Sequence, residues 1–84
     1  MNVKQEMETA LQAAFDPTVL EVVNESHKHA GHAGDDGSGE SHFAVKIRAT
    51  AFEGMNRVQQ HRAVHKALGD IVPRIHALAL DIGT

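Results

Sequence analysis

The stretch Ser41-His42-Phe43-Ala44-Val45-Lys46-Ile47-Arg48-Ala49-Thr50 decides the fold. Its side chains alternate. Phe43, Val45, Ile47 and Ala49 share one face, and His42, Lys46, Arg48 and Thr50 share the other. A period of two is the signature of a β-strand with one face in a core and one in water. The reading is a half-buried strand with a basic outer face, and apolar elements elsewhere must cover its inner face.

Those elements lie on both sides. After the strand, Phe52-Glu53-Gly54 reads as a turn. Asn56 to Ile71 then shows a helical stripe of Val64, Ala67, Leu68 and Ile71, with Gln59, Arg62 and Lys66 opposite. Pro73 ends that helix. Ile75 to Ile82 is a continuous apolar run of strand length. Before the strand, Thr18 to Glu25 is short and β-branched, which predicts another strand. Val3, Met7, Ala10, Leu11 and Ala14 recur at helical spacing, and Asp16-Pro17 stops that helix because the residue before Pro avoids the helical region. The predicted order is α-β-β-α-β. Two helices covering one face of a three-stranded mixed sheet make a two-layer α+β sandwich. If the last two strands are parallel, the helix between them is a right-handed crossover. The 84 residues fit one domain, 1–84, with no internal repeat.

Composition narrows the function classes. There is no Cys, so a disulfide framework, a thiol nucleophile and a Cys-ligated zinc site are excluded within the chain. No apolar run reaches the roughly 20 residues of a membrane span, and no basic-then-apolar leader opens the sequence. A cytoplasmic setting, that of a bacterial cytosol, is therefore expected. The only aromatics are Phe15, Phe43 and Phe52, poor provision for stacking on bases. Charge is divided. Residues 1–42 carry eight acids against Lys4 and Lys28, whereas residues 43–84 carry six bases against three acids, and the net charge is −3. No Ser, His and acid combination sits on rigid elements in a catalytic arrangement, and the P-loop, dinucleotide and H-E-x-x-H fingerprints are missing, so no enzyme is expected.

Histidine is the unusual component: seven in 84 residues, four of them between His27 and His42. It is the commonest metal ligand. Residues 26–40 hold four Gly and no large apolar side chain, and read as a flexible His- and Gly-rich loop. Within it, His27, His29 and His32 are close enough in sequence to share a metal, but nothing fixes their spacing, so a solvated loop is the competing reading. Gly31-His32-Ala33-Gly34 has the G-x-x-G form that grips nucleic-acid backbone in KH domains, yet it lies between strands rather than helices. His61 and His65 are i, i+4 neighbours flanking an apolar stripe: a metal pair, or half-buried structural groups. His76 stands at the start of the last strand in phase with Leu78, Leu80 and Ile82, either a core residue or a ligand.

Five blocks in order carry a family resemblance: Leu20-Glu21-Val22-Val23-Asn24-Glu25-Ser26; Glu40-Ser41-His42-Phe43; Phe52-Glu53-Gly54; Gln60-His61-Arg62; and Ile75-His76-Ala77-Leu78-Ala79-Leu80. The chain resembles the BolA family over nearly its whole length. That resemblance implies an α-β-β-α-β fold similar to type II KH domains, with an extra short helical turn near Phe52 to Val58. It also implies partnership with a monothiol glutaredoxin, in which the two proteins share a [2Fe–2S] cluster. The glutaredoxin and its bound glutathione provide thiolates; the BolA-like chain provides the His at the start of its last strand, matching His76, and a second ligand from the loop. Spacing from Asn-Glu-Ser favours His29, with His27 and His32 as rivals. No cluster is expected to stay tightly bound to the isolated chain, which is expected to be monomeric. A mobile tail is common in the family, and none is expected here after Thr84. The family is also reputed to regulate transcription by binding DNA. Here the bases for that role are Arg57, Arg62 and Lys66 on the helix and Lys46 and Arg48 on the sheet, and the net charge predicts weak binding. A stand-alone His-loop metal binder is the third reading.

Overall fold

The computed structural model describes residues 2–26 and 41–84. The chain runs α1 (Val3–Phe15), β1 (Val19–Asn24), β2 (His42–Arg48), a 3-10 turn (Thr50–Phe52), α2 (Arg57–Leu68), a second 3-10 segment (Gly69–Arg74) and β3 (Ala77–Gly83). The sheet order is β1-β2-β3, antiparallel between β1 and β2 and parallel between β2 and β3. This is the mixed-sheet, two-layer α+β arrangement that the alternation of Phe43, Val45 and Ile47 calls for.

Register explains the core. Leu20, Val22 and Asn24 pair with Ile47, Val45 and Phe43, and those three pair in turn with Ile82, Leu80 and Leu78. Directly paired residues share a face, so one side of the sheet is apolar across all three strands. Val3, Met7 and Leu11 of α1 and Val64 and Leu68 of α2 are buried in the same cluster. Phe52 anchors the turn after β2 by packing on Phe15, ring centres 4.7 Å apart. Among the described residues no helix lies on the opposite sheet face. There Ala77, Ala79 and Asp81 are exposed, so β3 alternates rather than being buried on both sides as its continuous apolar sequence suggests.

Both helices begin with reciprocal caps. Asn2 accepts from the Gln5 amide at 2.8 Å, and the Gln5 side chain accepts from the Asn2 amide. Asn56 and Gln59 do the same at 2.9 Å in both directions. Asp16 closes α1 in the left-handed region at φ 46°. Two boundaries differ from the sequence reading. α2 stops at Leu68 rather than Ile71, because Gly69 takes φ 54° and breaks the α-helical ladder. The short helical turn lies at Thr50–Phe52, ahead of the expected Phe52 to Val58, where the Phe52 side chain can reach Phe15. Among the described residues no helix is long and apolar enough to cross a membrane.

Candidate metal centre

His76 lies in the bend immediately before β3, and it is exposed. This corrects the reading of His76 as a core residue in phase with Leu78 and Leu80. The strand begins one residue later, so His76 stands at the sheet's end, clear of the core stripe. Its backbone is nonetheless fixed: its amide donates to the Ser41 carbonyl at 2.8 Å, and the Ala77 amide donates to the same oxygen at 3.1 Å. An exposed imidazole on an anchored backbone is a suitable ligand position.

The neighbouring imidazole is His42. Strand alternation puts it on the solvent side of β2, with Lys46 and Arg48, yet it is 7% exposed. That reading of His42 as part of an open basic face is therefore overturned, and the backbone around it is closely held. Ser26, just beyond β1, turns its hydroxyl oxygen onto the backbone of the facing strand. Ser26 Oγ accepts from the Ser41 amide at 2.9 Å and the His42 amide at 3.1 Å. The Glu25 amide donates to the His42 carbonyl at 2.8 Å. Ser26 is itself held by its amide donating to Asn24 Oδ1 at 2.9 Å. Ser41, fully buried, places its hydroxyl 2.8 Å from His42 Nδ1. The His42 and His76 ring centres are then 5.3 Å apart, with the rings inclined by 49°. No single motif in the sequence points to this Ser26–Ser41–His42 cluster. The available signal was that Asn24-Glu25-Ser26 and Ser41-His42 flank the long loop from both sides.

His29 and its rivals His27 and His32 lie outside the described residues. Among the described residues no group of three His, Cys, Asp or Glu side chains is gathered closely enough to hold a metal ion. His61 is half-buried and His65 exposed on α2, where they line an open groove with Arg57, Val58 and Arg62. Two guanidinium groups around that groove oppose a cation there.

The five bases of the nucleic-acid reading are divided between a helix and a strand. Arg57, Arg62 and Lys66 are exposed on α2, in the helical layer. Lys46 and Arg48 belong to the uncovered face of the sheet. Arg48 is further committed, donating to the Ile47 carbonyl at 3.0 Å, to the Asp81 carbonyl at 2.9 Å and to Asp81 Oδ1 at 2.9 Å. Its side chain lies close over Gly83, where an added Cβ would stand 3.1 Å from it.

Comparison with known proteins agrees with this architecture. A family model described as BolA-like protein matches residues 11–84. BolA-like protein 1 of Mus musculus is 44% identical over 75 residues, covering 88% of this chain and 52% of that protein, so the chain spans about half of that relative. The DNA-binding transcriptional regulator BolA of Escherichia coli is 38% identical over 81 residues, covering 95% of this chain and 73% of the relative. Among solved structures, BolA1 from Arabidopsis thaliana superposes with a TM-score of 0.88 at 39% identity, covering 100% of this chain and 93% of that one. The BolA domain of SufE1 from the same plant gives 0.87 at 32% identity, with the same coverage of both chains.

Proposed function

The chain belongs to the BolA-like family, and from that premise we propose that it is a non-enzymatic adaptor in iron–sulfur cluster trafficking or iron homeostasis. In this reading it is a cytoplasmic monomer that pairs with a monothiol glutaredoxin, and the two carry a [2Fe–2S] cluster as cargo between them. The observation that supports the reading most directly is the position of His76: an exposed imidazole whose backbone is tied to Ser41, at the end of a sheet beside a second imidazole. The donor set fits the group. A chain without Cys can offer nitrogen but no thiolate, and mixed imidazole and thiolate ligation has precedent in Rieske-type centres. His76 is the first ligand in this proposal and His29 the second, with the partner and its glutathione supplying sulfur. The chain's own work is to hold His76 in place and to present the face on which the partner docks.

The test is co-purification with a monothiol glutaredoxin under iron-replete, anaerobic conditions, followed by visible absorption and circular dichroism. A coloured heterodimer whose spectrum differs from that of the glutaredoxin alone, and which His76→Ala abolishes, is the expected result. A colourless mixture, or a spectrum indifferent to His76→Ala, would overturn the ligand assignment.

A second reading, binding to DNA, is favoured by one observation: α2 carries Arg57, Arg62 and Lys66 and not a single acid. The E. coli relative bears that activity in its name. Nothing in this surface picks out base edges, so contact with phosphate is the form of binding that it supports.

A further inference from the structure

We propose that His42 is the positioning residue for His76: a buried ring, tethered by the Ser41 hydroxyl on a backbone that Ser26 holds, that sets the direction in which the exposed imidazole points. The proposal rests on the reading of His76 as a cluster ligand, but its structural half can be tested without any cluster.

The argument begins at Ser41. Three of its groups act in three directions. Its carbonyl accepts the His76 and Ala77 amides, its hydroxyl meets His42 Nδ1, and its own amide donates to Ser26 Oγ. The backbone of His76 and the ring of His42 are thus fixed to the same residue, and that residue is wholly buried. Backbone anchoring alone leaves the His76 side chain its rotamers, because an exposed imidazole turns about two bonds. The missing constraint is the neighbouring ring. At 5.3 Å between centres and 49° inclination, His42 stands in the contact range of packed aromatic pairs and blocks one sector of the His76 ring's rotation.

The hydroxyl of Ser41 gives this contact its direction. A ring tethered at Nδ1 cannot flip without losing a buried hydrogen bond. The site therefore has the layered form usual around ligating histidines, where an outer group fixes the ring that binds. Here the outer group acts by ring contact on His76, in addition to the hydrogen bonds on its backbone. The Ser26 hydroxyl secures the arrangement from the far side by holding the Ser41 and His42 amides together.

Two variants separate positioning from ligation and from mere folding. His42→Phe keeps a ring of similar reach but removes both nitrogens; His42→Ala removes the ring. Nuclear magnetic resonance on the isolated, cluster-free chain is the first readout. Wild type should show nuclear Overhauser contacts between the two imidazoles and a His76 ring in one dominant rotamer. His42→Phe should retain that rotamer, and His42→Ala should give an averaged one. Visible circular dichroism of the complex with glutaredoxin is the second. His42→Ala should shorten the cluster's lifetime by about tenfold, the scale seen when an outer-shell group is removed, and His42→Phe should restore most of it. Averaged His76 rotamers in the wild-type chain would overturn the proposal. So would a His42→Ala chain with unchanged His76 signals. A His42→Phe complex as devoid of cluster as His76→Ala would show His42 to be a ligand and would also overturn it. If wild type forms no cluster at all, the adaptor reading fails, while the first readout still decides the role of His42.

Discussion

Ser26 shows how much one side chain can hold. Its hydroxyl oxygen accepts two backbone amides, those of Ser41 and His42, inside a region where water does not compete. Ser26→Ala leaves both donors without that acceptor. At about 1–3 kcal/mol for a buried group deprived of its partner, we expect a loss of about 2–3 kcal/mol in urea denaturation, larger than the usual cost of trimming a surface serine. Unchanged stability would mean that the two amides find another acceptor. This is also where the sequence was least legible. Alternation assigned His42 to water because alternation knows only its own strand. The Ser26 hydroxyl that fixes the backbone at this end of β2 comes from sixteen positions earlier, a contact that alternation within the strand does not encode. His76 was misjudged in depth for a related reason: parity with Leu78 and Leu80 holds only inside β3, and the strand begins at Ala77.

The elements are held as much by their ends as by their middles. α2 opens with the Asn56–Gln59 capping box, in which each residue satisfies the other's amide. Asn56→Ala should cost about 1 kcal/mol, read as a lower urea midpoint with an unchanged slope; a changed slope would point to a non-native helix start instead. At its other end the helical layer is joined by an ion pair. Arg74, the last residue of the second 3-10 segment, donates two hydrogen bonds to the Glu6 carboxylate of α1 at 2.9 and 2.8 Å. These bonds hold the Glu6 carboxyl below its ordinary value of 4.5. A carboxyl whose pKa is lower folded than unfolded stabilises the fold above the unfolded value and ceases to do so as pH falls through the folded one. The stability difference between wild type and Arg74→Gln should therefore be small, as expected at a surface. It should be present near neutrality and shrink as pH drops below about 4.5. A difference independent of pH would assign the effect of Arg74 to packing alone. The elements themselves were legible where the period was strong, as in Val3, Met7 and Leu11 or Phe43, Val45 and Ile47. Their limits were not, because the end of α2 depends on the backbone of Gly69, and Pro73 fits the tighter 3-10 segment that follows.

At the scale of the whole molecule, the two-layer plan was legible because each element carries one apolar face and only one arrangement buries all of them together. The distribution of function over that plan was less so: a list of bases does not tell which of them share a side. Lys46 and Arg48 stand on β2 whereas Arg57, Arg62 and Lys66 stand on α2, and Asp81 engages Arg48. Phe43 and Phe52 are in the core and Phe15 packs against it, so the side chains suited to stacking on bases are turned inward. A duplex resting on α2 meets three fixed cations on a chain of net charge −3. Non-specific complexes built on phosphate contacts have dissociation constants of roughly 100 to 1 μM at physiological salt. With so few cations, binding here should fall at or beyond the weak end. Replacing Arg62 and Lys66 by Ala should weaken binding to all duplexes alike and reduce the slope of log K against log salt by about two. Lys46→Ala, on β2, should leave both quantities unchanged. Fluorescence anisotropy over a salt series measures all three. An equal effect from Lys46→Ala would place the duplex on the sheet rather than on α2, and a nanomolar, sequence-specific complex would make DNA, rather than the shared cluster, the better account of this surface.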